Sequence, residues 1–263
     1  MTENSNPDIL ILGAVYRELT GLESGLKGGF EAEIGRRRQV AGRLAGIPVR
    51  LLTTGPGPVN TVQAVTAAVE HRRPRLLIQT GCAGAFRKSG LDVGDVAVAA
   101  EEIDVHLGIE PETETAPMPP LPFPLMIRKG FEIRHRYCLD AKRQFWAASV
   151  LDKAFAGACR VRRGPFVTVS TITATDRRAQ ALYDRYRPCM ESMEGAGAAY
   201  LALYYDLPLV EIRAASNRVG RRNLNAWNLD LAFERCAEAV AYLVRDIAEN
   251  GWEPIHREAP GGG

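Results

Sequence analysis

Apolar residues along this chain fall into short unbroken runs and into spacings of three and four, the two signatures of strands and helices in alternation. Ile9-Leu10-Ile11-Leu12 is apolar at every position and stops at Gly13, as in a strand buried on both faces, and residues 16–26 read as the helix after it. Val49-Arg50-Leu51-Leu52-Thr53-Thr54 is a second strand, which runs into Gly55-Pro56-Gly57-Pro58 and a helix over 60–70. A third, Leu76-Leu77-Ile78-Gln79-Thr80, opens into Gly81-Cys82-Ala83-Gly84-Ala85-Phe86. Residues 96–100 predict a strand, 140–156 a helix, and 164–170 a turn plus strand. Strong helix formers without proline follow Ser192-Met193-Glu194 as far as Tyr205. Past the turn at Asp206-Leu207-Pro208, a strand from Leu209 meets the breaker Asn217-Arg218-Val219-Gly220. The last helix, over 229–250, carries Ala232, Cys236, Ala239, Leu243 and Ile247 on one core-facing stripe and ends before Gly251.

This alternation predicts an α/β fold. A chain of 263 residues can bury a substantial core, and we read one domain over 8–250, with 1–7 and 251–263 expected to be disordered. Residues 111–124, PETETAPMPPLPFP, hold too many prolines for a regular element. They form either a surface excursion or a functional loop, as a wall over a site or an arm reaching a neighbouring subunit. The near balance of 33 basic and 31 acidic residues, net +2, gives no reason to expect a nucleic-acid or membrane partner. Five scattered cysteines without a CxxC pair argue against a disulfide framework or a zinc site. With no signal-peptide pattern and no apolar run of membrane-spanning length, a cytoplasmic protein is expected.

Two polar groups stand out. Glu194 lies among residues too small to shield it, at a helix start where free N–H groups favour a carboxylate. Asn217 lies where a strand ends, and in open α/β sheets ligands bind beyond the carboxyl ends of strands. Glu18, in the first turn of its helix, reads by itself as a solvated helix-start glutamate. The turn at Gly55-Pro56-Gly57-Pro58 is either a tight strand-to-helix connection or an anion cradle, although its prolines remove donors and its spacing matches no phosphate-binding fingerprint. Cys82 has no histidine near it in sequence, so it reads as a small apolar residue rather than a nucleophile.

Met193-Glu194-Gly195-Ala196 followed by Ile212-Arg213-Ala214-Ala215-Ser216-Asn217 resembles the nucleoside phosphorylase and nucleosidase superfamily, which cleaves the N-glycosidic bond of purine nucleosides; the likeness extends over most of residues 8–247. Ser216-Asn217-Arg218-Val219-Gly220-Arg221-Arg222-Asn223, with Trp227 beyond, is most similar to the futalosine hydrolases of menaquinone biosynthesis. The resemblance implies a mixed central β-sheet flanked by helices, a homo-oligomer, a small nucleoside substrate, and no metal or organic cofactor. In Gly13-Ala14-Val15-Tyr16-Arg17-Glu18 it places Glu18 as the carboxylate that activates water. Glu194 would take the ribose hydroxyls, Met193 would pack beneath the sugar, and Ala83 and Thr173 would lie along the ligand. The segment Thr171-Ile172-Thr173-Ala174-Thr175-Asp176 resembles the one whose backbone grips the purine, but Ala174 stands where relatives often carry an aromatic, so Phe86 is a candidate base contact. Asn217 replaces the aspartic acid of adenine-type nucleosidases; its NH2 can donate to N7 and a 6-oxo oxygen together, which suits hypoxanthine.

Hexameric phosphorylases carry an arginine near Gln79 and a serine near Cys82 to hold phosphate; neither is present, which favours water as acceptor. Futalosine bears a carboxyphenyl ketone on its 5′ side, for which Arg218, Arg221 or Arg222, with Arg222 preferred, would supply the cation and Trp227 or Phe86 a flat apolar face. The alternatives are a purine nucleoside phosphorylase, a methylthioadenosine/S-adenosylhomocysteine-type nucleosidase, and a non-catalytic nucleoside-binding protein on the same fold.

Overall fold

Strand β1 (Ile9–Gly13) sits inside the sheet between β4 (Ile47–Thr53) and β5 (Leu76–Ala85), parallel to both. The computed structural model describes residues 8–112 and 118–252. Both faces of β1 are covered, so its neighbouring side chains enter different cores, which is why no position in the run is polar. Ile9 and Ile11 pack with α1 (Tyr16–Ser24), α3 (Ala141–Ala154) and α6 (Leu229–Asn250). Leu10 and Leu12 pack on the opposite face with α2 (Pro58–His71) and α5 (Gly195–Tyr204). Helix α6 has the bounds its stripe predicts, and it buries Ala232, Cys236, Ala239, Val240, Leu243, Val244 and Ile247. Each of its larger buried side chains contributes about 1.5–3 kcal/mol.

The ten-stranded sheet is mixed. Strand β5 runs well past its expected end at Thr80, carrying Gly81 to Ala85 as strand. It pairs in parallel with β12 (Leu209–Arg218), and its last two residues pair antiparallel with β11 (Met190–Ser192). Strand β12 also lies antiparallel to β6 (Val96–Asp104), which is parallel to β10 (Val161–Thr168), itself parallel to β11. The sheet therefore closes on itself through β5, β12, β6, β10 and β11. Strand β12 does not stop at Asn217 as expected. A bulge at Ser216 shifts the register, so that Ala215 faces Ala83 and Asn217 faces Gly84, and the strand continues to Arg218. An extra residue of this kind re-aims the side chains next to it.

On the other side of β4 the sheet continues through β3 (Arg37–Leu44) and β2 (Lys27–Ile34), which the hydrophobic pattern does not predict. The pattern is silent because β2 is an edge strand, KGGFEAEI, with no buried residue. Two-residue loops with both residues at positive φ, Gly35–Arg36 and Ala45–Gly46, join β2 to β3 and β3 to β4; this turn type matches the strand twist. Strand β9 (Arg136–Cys138) pairs with β6, the hairpin of β7 (Met126–Arg128) and β8 (Phe131–Ile133) stands apart, and α4 (Asp176–Tyr186) follows β10.

The described part of the proline-dense stretch has no regular element and turns back on its own chain, where the Ile109 N–H donates to Pro119 O at 2.9 Å. Residues 113–117 lie outside the described residues, as do 1–7 and 253–263, on which most of the expected disorder falls. Trp252, at the start of the expected tail, packs on the α6 side of the core with the Arg75 guanidinium 4.3 Å from its ring. Among the described residues no helix is long and apolar enough to cross a membrane.

Candidate active site

A cleft of about 220 Å³ opens where the carboxyl ends of β1, β5, β11 and β12 meet. Such an edge of an α/β sheet is where ligands are expected. Of the residues named from sequence, Glu18, Ala83, Thr173, Met193, Glu194, Asn217, Arg222 and Trp227 all line it. They come from segments far apart in the chain, and the topology brings them together.

Phe86 does not line the cleft, and this corrects the expectation of a base contact there. It follows the end of β5, points into a cluster with Ile103, Val105, Val167, Val169, Tyr186 and Val219, and is 2% exposed. Its ring also borders a separate cavity beside Tyr183. The apolar wall of the cleft is supplied by Val169, Ile172, Met193, Val219 and Trp227.

Glu18 is 3% exposed and is no solvated helix-start residue. Its Oε2 accepts from the N–H groups of Ala14 (2.7 Å) and Val15 (3.1 Å), and Oε1 accepts from Cys82 N–H at 3.0 Å. Gly81 permits this approach: at φ 142°, it holds a position where a Cβ would come within 2.4 Å of Glu18 Oε1. Any side chain there would displace the carboxyl group. Burial pushes the Glu18 pKa above the ordinary 4.5, and the nearby Glu194 adds to the rise, while the Arg213 charge and the two backbone donors Val15 and Cys82 pull it back. Burial, with Glu18 beside it, also drives the Cys82 thiol far above its usual range, so it stays protonated and non-nucleophilic.

Glu194 is the N-cap residue of α5, yet its side chain makes no cap bond. Oε1 instead accepts the Gly57 N–H at 3.0 Å, and Oε2 lies 3.3 Å from Arg213 Nη1. The helix start is served by Thr168, whose Oγ1 accepts the Ala196 N–H at 2.8 Å. The Gly55-Pro56-Gly57-Pro58 turn has no donor left for an anion: Gly55 N–H goes to Ala14 O, Gly57 N–H to Glu194, and its prolines have none.

Arg213 is a central residue whose role the sequence did not announce. It is fully buried, its Nε donates to Glu211 Oε1 at 2.9 Å, its Nη1 lies 3.3 Å from Glu194 Oε2, and Glu18 is near enough to act on its charge. Burial alone would lower its pKa; Glu211, Glu194 and Glu18 more than offset that, and the charge is retained. Glu211 and Arg213 are two apart in a strand buried on both faces, so they share a face and must meet. That alternation of charges inside an apolar run was the signal available.

Asn217 is positioned through the bulge. Ser216 Oγ donates to Asn217 Oδ1 at 2.8 Å, closer than its 3.3 Å to Ala83 O, and the Asn217 Nδ2 then points away from Ser216. Thr173 gives its N–H to Glu191 Oε1 at 3.0 Å and its hydroxyl to the other oxygen of that carboxyl group. Glu191, a cleft residue not foreseen, has its pKa raised by burial and partly restored by Thr173. At the open end of the cleft the Arg222 guanidinium sits 5.0 Å from the centre of the Trp227 ring.

A futalosine hydrolase from Streptomyces coelicolor is 31% identical over 213 residues, covering 79% of this chain and 82% of that one. A 5′-methylthioadenosine/S-adenosylhomocysteine nucleosidase from Bacillus thuringiensis is 27% identical over 220 residues, covering 82% and 87%. Among solved structures, a nucleosidase of the same name from Neisseria meningitidis, in complex with methylthio-immucillin-A, superposes with a TM-score of 0.77 at 23% identity, covering 91% of this chain and 99% of that one. A mutant futalosine hydrolase from Helicobacter pylori gives 0.76 at 18% identity, over 91% and 99%. The sequence model of the phosphorylase superfamily matches residues 8–249, essentially the whole folded unit, and the chain belongs to that family.

Proposed function

We propose that this chain hydrolyses futalosine, releasing hypoxanthine and the base-free sugar. The enzyme is a nucleosidase, with two carboxylates flanking a cleft of nucleoside dimensions. Water attacks C1′ as the C1′–N9 bond breaks. The water proton passes to the Glu18 carboxylate, and the electron pair of the broken bond leaves with the purine, which takes up a proton from solvent. Glu194 accepts the ribose hydroxyls and favours the cation-like sugar of the transition state. Water is the acceptor we assign because the turn that could cradle phosphate has already given its N–H groups to Ala14 and Glu194.

The observation that carries the choice of base is the Asn217 amide. With its oxygen held by Ser216 and one N–H reaching Arg218 O at 3.2 Å, its NH2 keeps a second N–H as a donor, which matches the acceptor edge, O6 and N7, of a 6-oxopurine. An adenine would present its own amino group to that NH2, leaving two donors face to face. Asn217→Asp is therefore expected to move the ratio of kcat/KM for methylthioadenosine over inosine upward by at least about tenfold. An unchanged preference for 6-oxopurines would remove Asn217 from base recognition.

Arg222 over Trp227 pairs a cation with a flat apolar face, and this arrangement fits the carboxyphenyl group of futalosine. Arg222→Ala is expected to lower kcat/KM for futalosine by about 10–100-fold while that for inosine changes little. Equal losses on both substrates would place Arg222 elsewhere than at the 5′ group. The reading as a whole is tested by measuring purine release from futalosine, inosine and methylthioadenosine, each with and without phosphate. Futalosine turned over best and without need of phosphate is the expected result; release of adenine from methylthioadenosine as the main activity would favour the second nucleosidase class.

A further inference from the structure

Beneath the cleft lies a second pair of carboxyl groups that contacts no part of the ligand space. Glu102 on β6 and Glu211 on β12 are both fully buried. Glu102 Oε2 accepts the Thr168 hydroxyl at 2.7 Å, while Glu102 Oε1 and Glu211 Oε2 have no hydrogen-bond partner from any other residue described. Those two oxygens converge on one spot: a Cβ added at Gly195 would lie 2.0 Å from the first and 2.6 Å from the second. Two ionised carboxylates facing each other away from solvent repel strongly, which favours one shared proton at this spot. The donor is Glu102. Burial and the facing Glu211 raise its pKa well above 4.5, whereas Glu211 Oε1 takes the Arg213 Nε–H at 2.9 Å.

The pair joins two things the chemistry needs. One end orients the Arg213 guanidinium through Glu211 Oε1. The other holds the Thr168 hydroxyl so that its lone pair takes the Ala196 N–H, a task that otherwise falls to the N-cap side chain, Glu194. We propose that Glu102, as a neutral acid hydrogen-bonded to Glu211, is a positioning residue for the hydrolysis: it aims Arg213 and releases the Glu194 carboxylate from helix capping into the cleft. The inference rests on the nucleosidase reading for its kinetic readout, but not on which nucleoside is cleaved.

The test compares Glu102→Gln, which keeps an acceptor for Thr168 and a donor for Glu211, with Glu102→Leu, which keeps neither. The Gln variant is expected to hold kcat within about threefold of the parent, and the Leu variant to lose at least about tenfold in kcat with little change in KM. A Leu variant with parental kcat, or a Gln variant as damaged as the Leu one, overturns the proposal. Stability supplies a second arm that needs no turnover. Above pH 4.5 an unfolded Glu102 is ionised while the folded one keeps its proton, so its contribution to parental stability is complete below that pH and is lost as pH rises toward the folded pKa. Glutamine has no such loss, so the Tm of Glu102→Gln relative to the parent should climb as the pH is raised above about 4.5. Glu18, Glu191, Glu194, Glu211, Arg213, Tyr137, Cys82 and Cys236 titrate or carry charge around this network in both proteins, and the difference between the two isolates Glu102. A Tm difference that does not change with pH means that folded Glu102 is ionised and the proposal fails, even where the Leu variant does not fold or no nucleoside is turned over.

Discussion

Glu18→Gln is expected to lower kcat by about 10²–10⁴-fold while KM stays within a few-fold of the parent, the signature of removing a base that acts on the attacking water. The glutamine can still face the Ala14 and Val15 N–H groups with its oxygen, at the cost of turning its NH2 toward the Cys82 donor. The variant should therefore fold. The pH dependence carries the sharper form of this prediction. Only the ionised carboxylate can accept a proton, and burial raises the Glu18 pKa above that of a free glutamate. Activity should accordingly rise with pH along an acid limb displaced above pH 4.5, and residual turnover in Glu18→Gln should lack that limb. A parental acid limb surviving in the variant would assign the base to another group, with Glu191 as the next candidate in the cleft.

The sequence was legible where burial is symmetrical and short-ranged. The unbroken run of β1 and the stripe of α6 follow from cores on one or both faces, and their helix and strand assignments needed only neighbouring residues. The hairpin of β2 and β3 was not legible because its outer strand buries nothing, so no periodicity is imposed on it. The extension of β5 through two glycines was hidden for a related reason: the strand survives there on pairing with β11 and β12, which no local signal records. Within the site, Glu18 and Glu194 could be named through family likeness, but their partners could not. That Glu194 would leave its own helix start for Gly57 and Arg213 depends on Thr168, which lies on β10 and is brought there only by sheet closure. Phe86 was misplaced because the strand before it runs longer than its apolar run suggests, which moves the ring to the face of Val167 and Val169.

Replacing Glu194 with glutamine should cost about 10²–10³-fold in kcat, because on the proposed mechanism the group lost is an anion that favours charge present only near the transition state. The loss has two origins that experiment can separate. Glutamine can accept the Gly57 N–H through its oxygen, but its NH2 then meets Arg213, which is fully buried and keeps Glu211 and Glu18 as counter-charges. A fall in stability of about 1–3 kcal/mol follows from that mismatch, measurable by thermal or urea unfolding. The catalytic part is isolated by the substrate. If Glu194 accepts a ribose hydroxyl, the parent should cleave a 2′-deoxy nucleoside more slowly than its ribo counterpart, and the two substrates should differ far less in Glu194→Gln, since the interaction is already absent. Should the 2′-deoxy penalty persist undiminished in the variant, the carboxylate serves Arg213 and the Gly57 turn alone, and recognition of the sugar must be sought among the other cleft groups, Ser192 and Glu191 first.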